Sequence, residues 1–395
     1  MLEPRGPVID ADNHFYELPD TFTRHLPPEM RRRGVQWVEV EGKRRLLAGE
    51  KVTRVLANPT FDPIARPGSL IEYFRAKNEG GQDVKDLFGE LDSLADHPEY
   101  VSRDARLDVM GTQGIDGALL FPTLGVLLQR PLREDVDALH ATFHAYNKWL
   151  LEDWGFAAPL YGVPVIILAD PQLALGEVEW ALEHGAHAVA IIPGPVPNRH
   201  GGTRSPAAPD LDLVWQRINE AGVLVAIHGA DGALDQYIGQ WEAPNQGFAL
   251  FDSTFKMAIT HGRTISDTMT ALICHGLFQR FPNLRIATIE TGSNWVAPML
   301  HNLESVYGKR PQQMRENPVD TFRRHVWVSP FFEDDMAPLR DLIGAEQMLF
   351  GSDWPHAEGL AAPRDFLGEI PTFEQDEVDG VMGANLATLL EAHPV

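Results

Sequence analysis

Cysteine is almost absent from this chain. Cys274 stands alone among 395 residues, which excludes an intrachain disulfide framework and any cysteine-rich zinc site and suits a reducing cytoplasm. Long apolar runs are missing too: none approaches the roughly 18 uninterrupted residues of a membrane-spanning helix. The opening stretch MLEPRGPVIDADNHF has no apolar signal core, so neither export nor membrane insertion is expected. Basic residues are outnumbered, 33 Lys and Arg against 56 Asp and Glu, for a net charge of −23. A phosphate backbone or an anionic lipid surface needs the opposite balance. Nucleic acid and membrane are therefore not expected as partners, and a small-molecule substrate is. No GxGxxG follows the first apolar run, which weakens a doubly wound dinucleotide fold.

What the chain has is alternation. Its 44% apolar content is that of a globular domain, and the apolar residues fall into eight short runs. These are PVIDADNHF from Pro7, DGALLFP (116–122), LYGVPVIIL (160–168), AHAVAII (186–192), GVLVAIHG (222–229), LRIATIET (284–291), HVWVSP (325–330) and QMLFGSD (347–353). Runs that are apolar on both faces suit parallel strands covered on both sides. Between them lie helical patterns. DPQLALGEVEWALEHG opens on a capping Asp followed by Pro and closes on Gly185, and EDVDALHATFHAYNKWLLEDWG spaces Val136, Leu139, Phe143, Tyr146 and Leu150 at threes and fours. Eight strands alternating with helices predict a single (β/α)8 TIM barrel over residues 1–395. Residues from approximately 30 to 100 break the rhythm. A strand-like alternation turns at Glu41–Gly42, and the Pro-rich ANPTFDPIARPGS follows it. This reads as an insertion after the first strand, placed over the mouth of the barrel as surface decoration or as a lid.

Polar residues gather at the ends of the runs. Asp12 and His14 follow the first strand two apart, so in an extended segment they share a face. His228 ends the fifth run, His275 precedes the sixth, and Asp353 ends the eighth in MLFGSDWPHAEG. In a barrel the C-terminal strand ends converge on the face where active sites lie. Imidazole and carboxylate ligands suit Zn²⁺ or Mn²⁺. Singly, each of these residues has a plainer reading: an Asp after a strand as a turn former, a His as an interior hydrogen-bonder.

DADNHFYE, AIHG, HGLFQRFPNLRIATIETGSNWVAPML and FGSDWPH together resemble the amidohydrolase superfamily, and within it the amidohydrolase-related family that includes aminocarboxymuconate semialdehyde decarboxylase and aromatic-acid decarboxylases. The resemblance runs from Val8 to the MGANLATLL segment, the insertion excepted. It implies a distorted barrel with one divalent metal ion, Zn or Mn. The implied ligands are Asp12, His14, His228 and Asp353, with Asp12 standing where many members carry His or Glu. Asp10 is an alternative whose spacing to His14 fits less well. The resemblance also implies that His275 is a general acid/base and that Asp353 doubles as proton acceptor. Glu290, His356 and Glu17 are expected around the metal or against substrate, and Trp354 and Trp295 in packing. Such proteins commonly associate, so a homodimer is the implied assembly.

Two reactions share these ligands. A hydrolase uses metal-activated water on a small organic, aromatic or cyclic substrate. A non-oxidative decarboxylase releases CO₂ from an aromatic or unsaturated acid. Some such decarboxylases carry Glu three residues after the catalytic His, where this chain has Phe278. The missing carboxylate and the acidic ligand pair put hydrolysis first. Anion-holding arginines for a decarboxylase would come from Arg54, Arg66, Arg75 or Arg263. A barrel that binds metal or ligand without turnover is the reading of another class, but a structural site is closed by four ligands and needs no additional acid/base group.

Overall fold

The apolar runs become a ring of parallel strands. The structure, a computed structural model, describes residues 2–53, 58–230, 234–243, 253–260 and 262–391. Strand β1 (Ile9–Phe15) pairs with β2 (Gly117–Pro122), and β2 with β3 (Leu160–Gly162), all in parallel. A second parallel series joins β4 (Ala188–Ile191), β5 (Leu224–His228), β6 (Arg285–Ile289) and β7 (Val326–Val328). Single bridges complete the ring. Val165 lies opposite Ala190, Val328 opposite Met348, and Asn13 opposite Trp354, and the Ala11 N–H donates to the Phe350 carbonyl at 2.8 Å. The fold is the expected (β/α)8 barrel. Every residue of β1, β2, β4 and β5 is buried, as the doubly apolar runs require.

Two strands are shorter than their apolar runs. Pro164 has no N–H to donate, so beyond Gly162 the third strand keeps the Val163 N–H to Leu120 carbonyl bond at 3.1 Å on one side, and the Ala190 N–H to Pro164 and Ile166 N–H to Ala190 carbonyl bonds, each 2.8 Å, on the other. The eighth segment leaves its neighbours almost at once, because Asp353 takes a left-handed φ of 55° and turns the chain into a loop over the barrel mouth.

The outer layer follows from cap chemistry. Helices α1 (Arg103–Gln113), α2 (Gly125–Leu132), α3 (Val136–Asp153), α4 (Pro171–Glu183), α5 (Asp212–Ala221), α6 (Arg263–Cys274), α7 (Val296–Lys309) and α8 (Met336–Ile343) lie between the strands. At α4 the Asp170 carboxylate accepts from the Gln172 and Leu173 N–H groups at 3.0 and 3.1 Å, with Pro171 in the first turn. No helix of the described residues is long and apolar enough to cross a membrane.

The region after β1 contains the expected hairpin. Val35–Val40 and Lys43–Ala48 pair antiparallel around Glu41 and Gly42, whose φ values of 54° and 70° are those of a two-residue hairpin turn matched to strand twist. Farther along, Ile64–Ala65 pairs with Leu91–Asp92. A second excursion, between β5 and α6, includes the short helix Thr254–Thr260.

Candidate metal centre and substrate cavity

Four strand ends deliver side chains to one point at the C-terminal mouth. β1 supplies Asp12 and His14, β5 ends on His228, β6 runs into Glu290, and the eighth segment runs into Asp353. A bulge shapes the first contribution. Between Asp10 and Asn13 the chain advances three residues while β2 advances two, from Ala118 to Leu120. Bulges re-aim side chains beside active sites, and here Asp10 and Asp12 reach different partners.

The donor atoms crowd together. His14 Nε2 lies 3.3 Å from Asp12 Oδ1, 3.4 Å from Glu290 Oε2 and 3.5 Å from Asp353 Oδ1. It also lies 3.3 Å from His228 Nε2. His228 Nε2 in turn is 3.2 Å from Glu290 Oε2 and 3.6 Å from Asp12 Oδ1. Ligands bonded at about 2.0–2.2 Å to one tetrahedral ion stand roughly 3.3–3.6 Å apart, so the spacing is that of a coordination shell. Ordinary hydrogen bonding does not account for the cluster: Asp12 Oδ1 is buried with no hydrogen-bond partner, a costly arrangement unless an ion uses the site. Two groups of four satisfy the geometry of a metal site: Asp12, His14, His228 and Glu290, and His14, Glu290, Asp353 and His356.

The electrostatics point the same way. Burial works against an imidazolium at His14, yet the Asp12 and Glu290 carboxylates beside it push its pKa up to about 10. Burial raises Asp12, but His14 and His228 together outweigh it and hold the carboxyl well below the usual range. Burial, then repulsion from Glu290 and Asp12, pushes Asp353 well above it. Three carboxylates thus crowd around two imidazoles, and a divalent cation among them would relieve their mutual repulsion. Glu290 and Asp353 also sit at φ values of 50° and 55°, a left-handed backbone that costs a non-glycine residue about 1 kcal/mol or more and gathers at functional sites. Gly229 allows the close approach: a Cβ there would lie 2.1 Å from the Glu290 carbonyl oxygen.

A surrounding layer holds these groups in place. His228 Nδ1 lies 2.8 Å from the Gly229 carbonyl oxygen, so it carries the proton and leaves Nε2 bare towards the cluster. His356 Nδ1 lies 2.6 Å from Asp353 Oδ1, and its Nε2 2.9 Å from Thr123 Oγ1. The Thr123 hydroxyl also donates to the Phe15 carbonyl at 2.9 Å. Beneath His14 the buried Arg106 donates to the carbonyls of His14 at 2.7 Å and Glu99 at 2.8 Å and to the Asn13 side chain, with its guanidinium 4.5 Å above the Trp354 ring.

Above the cluster opens a cavity of about 600 Å³. His14, Thr123, Glu290, His356 and Glu358 line its polar part. Phe61, Ile64, Leu70, Phe88 and Leu91 of the region after β1 line its apolar wall, and Leu234, Lys256 and Thr260 of the β5–α6 excursion also face it.

His275 does not belong to this site. It is exposed at the C-terminal end of α6, and its Nδ1 lies 2.8 Å from Ser205 Oγ. Ile265, near the start of α6, lines the cavity; ten residues of helix carry the chain about 15 Å away from it. The expected acid/base role is corrected for that reason, and the residue at Phe278, buried against the His325 ring at 4.7 Å, no longer bears on the reaction. Sequence reading ranked Glu290 below the ligands, yet it is as close to both histidines as Asp12 is. The signal was available, since Glu290 follows the sixth strand as His228 ends the fifth. Glu17 is a buttress: its carboxylate accepts the N–H groups of Leu124 at 2.8 Å and Gly125 at 2.7 Å at the start of α2, and burial pushes its pKa up to about 7. Asp10 ties β1 to the eighth segment through the Ser352 N–H and hydroxyl. Arg66 pairs with Asp92, Arg75 with Glu369, and Arg263 lies over the Tyr237 ring; none lines the cavity, and Arg54 lies outside the described residues. Trp295 and Trp354 are buried in packing. Thr123, Arg106, Lys256 and Glu358 had no sequence signal that singled them out.

The family model for amidohydrolases, Amidohydro_2, matches residues 9–391. The crystal structure of amidohydrolase map2389c from Mycobacterium avium subsp. paratuberculosis K-10 is 39% identical, covers 99% of both chains and superposes with a TM-score of 0.93. The structure of 5-carboxyvanillate decarboxylase from Novosphingobium aromaticivorans DSM 12444, complexed with manganese and 4-hydroxy-3-methoxy-5-nitrobenzoic acid, is 15% identical over 98% of this chain and 96% of that one, with a TM-score of 0.59. The 2-amino-3-carboxymuconate-6-semialdehyde decarboxylase of Dictyostelium discoideum is 25% identical over 130 residues, which are 31% of this chain and 36% of that protein. The match therefore spans about a third of that curated relative's length.

Proposed function

Because the chain belongs to the amidohydrolase family, we propose that it is a metal-dependent hydrolase of small, largely uncharged ring compounds such as esters, lactones or amides. One observation carries the reading. Donor atoms of Asp12, His228, Glu290 and Asp353, from four strand ends, stand 3.3–3.5 Å from His14 Nε2 at the floor of an apolar cavity. Asp12, His14, His228 and Glu290 would hold one ion, and their nitrogen and oxygen donors suit Zn²⁺ or Mn²⁺. Such an ion supplies Lewis acidity, polarising a carbonyl and making water acidic.

The chain's own residues do the rest. Asp353 stands at the edge of the donor set with His356 behind it at 2.6 Å, placed to receive a proton from attacking water. His356 and Thr123 keep that carboxylate oriented. Phe61, Ile64 and Leu70 exclude bulk water and position a ring. The preference for hydrolysis comes from charge: Asp12, Glu290, Asp353 and Glu358 surround the floor, while Lys256 is the one Lys or Arg among the described lining residues. A substrate that must bring its own carboxylate meets repulsion there. Decarboxylation remains the second reading, favoured by the manganese-bound 5-carboxyvanillate decarboxylase among the similar folds.

The test starts from the metal content of the purified protein beside His228→Ala. About one equivalent of Zn or Mn in the parent and under a tenth in the variant supports the site. Turnover of aryl acetates and lactones, with no CO₂ released from hydroxybenzoates, supports hydrolysis; CO₂ release without ester cleavage reverses the order of the two readings.

A further inference from the structure

Glu358 has no assigned task. It follows His356 by two residues on the loop beyond the eighth strand and lines the cavity beside Glu290 and His14. The loop is pinned from two sides. The Gly68 N–H donates to the His356 carbonyl at 3.3 Å and the Leu70 N–H to the Ala357 carbonyl at 2.9 Å. Gly359 packs so closely that a Cβ there would lie 2.4 Å from the Asp353 carbonyl oxygen. Apart from its own backbone amide, no group among the described residues donates a hydrogen bond to the Glu358 carboxylate. Burial, then repulsion from Glu290, push its pKa up to about 7, while its own amide and the attraction of His14 act the other way. The fold thus holds a half-buried carboxylate still, faces it into the cavity, and gives it no side-chain hydrogen-bond partner among the described residues.

We propose that Glu358 selects the substrate: the cavity takes ring-sized molecules that are uncharged or cationic and offer Glu358 a hydrogen-bond donor, and it rejects those with a second anionic group. This rests on the hydrolase reading only for the identity of the bond cleaved. Phe61, Phe88 and Ile64 sandwich the ring by apolar contact, and Glu358 accepts a hydroxyl or amino N–H at its edge. A hydrogen bond to a charged acceptor shielded from water is worth about tenfold or more in affinity, and an anionic substituent in the same place loses a comparable factor to repulsion.

The experiment is calorimetric binding of three ketones, none of which can be hydrolysed, to the manganese-loaded protein: acetophenone, 3-hydroxyacetophenone and 3-acetylbenzoate. The expected order is the hydroxyl compound about tenfold tighter than acetophenone and the carboxylate about tenfold weaker. In Glu358→Ala both ratios fall to within about twofold of unity; in the isosteric Glu358→Gln the penalty on 3-acetylbenzoate shrinks while part of the hydroxyl preference survives. A denaturation midpoint and metal content for each variant confirm a folded, loaded protein. Unchanged ratios in both variants, tighter binding of 3-acetylbenzoate by the parent, or no binding of any ketone overturns the proposal. Failure to cleave any aryl acetate, with the binding ratios intact, overturns the hydrolase reading and leaves the assignment of Glu358 standing.

Discussion

Asp10 and Asp12 lie two residues apart on one buried strand, and their surroundings are opposite. Asp10 is saturated. It accepts the N–H groups of Asp12 and Ser352, each at 3.0 Å, the Asn13 amide at 3.0 Å and the Ser352 hydroxyl. Those bonds sew β1 to the eighth segment, where the barrel has only isolated bridges to close it. Asp12 Oδ1 has no hydrogen bond and faces two imidazoles. Both carboxylates lose water on folding. One recovers the loss within the fold; the other stays bare beside two imidazoles, as the proposed metal site requires. What separates them is the state of their hydrogen bonds, since residue type and depth are the same.

Substituting the pair tests that contrast most directly. Asp12→Ala is expected to lose the metal and at least 10³-fold of activity, while the metal-free protein shows only a modest drop in its urea midpoint, because the attraction of Asp12 to His14 and His228 is lost as its repulsion of Asp353 is relieved. Asp10→Ala is expected to cost about 3–5 kcal/mol by stranding buried donors, with metal still bound by the fraction that stays folded. Equal stability loss in the two metal-free variants would falsify the division between them.

A smaller effect comes from a saturated group in the outer layer. His140 Nε2 accepts the Asp170 N–H at 3.1 Å, and burial lowers its pKa to about 4 from an ordinary value near 6.5. The unfolded chain binds this proton more readily, so the contribution is fully present above about pH 6.5 and is lost as pH falls towards 4. Urea midpoints measured across that window should show His140→Gln with a flatter profile than the parent, by up to about 3 kcal/mol at the acid end. A parent and variant with parallel profiles would remove His140 as the cause.

The smallest effect belongs to an exposed residue away from the cavity. His275→Ala should keep its metal and its turnover within about twofold, as surface substitutions do. A large loss of turnover would place His275 back in the chemistry and contradict its position at the end of α6.

Much of this was legible in the chain. Eight apolar runs became the eight staves of the barrel, and the Glu41–Gly42 turn, the α4 cap and the strand-end positions of His14, His228 and Asp353 can all be read from local rules of period, cap and turn. The misplacement of His275 has a physical cause. In a parallel barrel the chain enters each strand at one face and leaves it at the other, so a residue just before a strand and one just after it lie at opposite ends. His275 comes before β6 and Glu290 after it; nearness in sequence to the same strand put them on the wrong footing.

The amino-acid order by itself determined the alternation of strands and helices, the acidic, cysteine-poor character of the surface chemistry, and a set of imidazoles and carboxylates at strand ends. Those features depend on neighbours within a few residues. Only the tertiary structure decided which carboxylate is stitched and which is bare, that Glu290 stands with the histidines, and that Glu358 faces the cavity without a side-chain hydrogen-bond partner among the described residues. Each of these depends on groups far apart in the chain, Asp10 with Ser352 and His14 with His228 and Glu290, and on a one-residue bulge in β1 that no local propensity encodes.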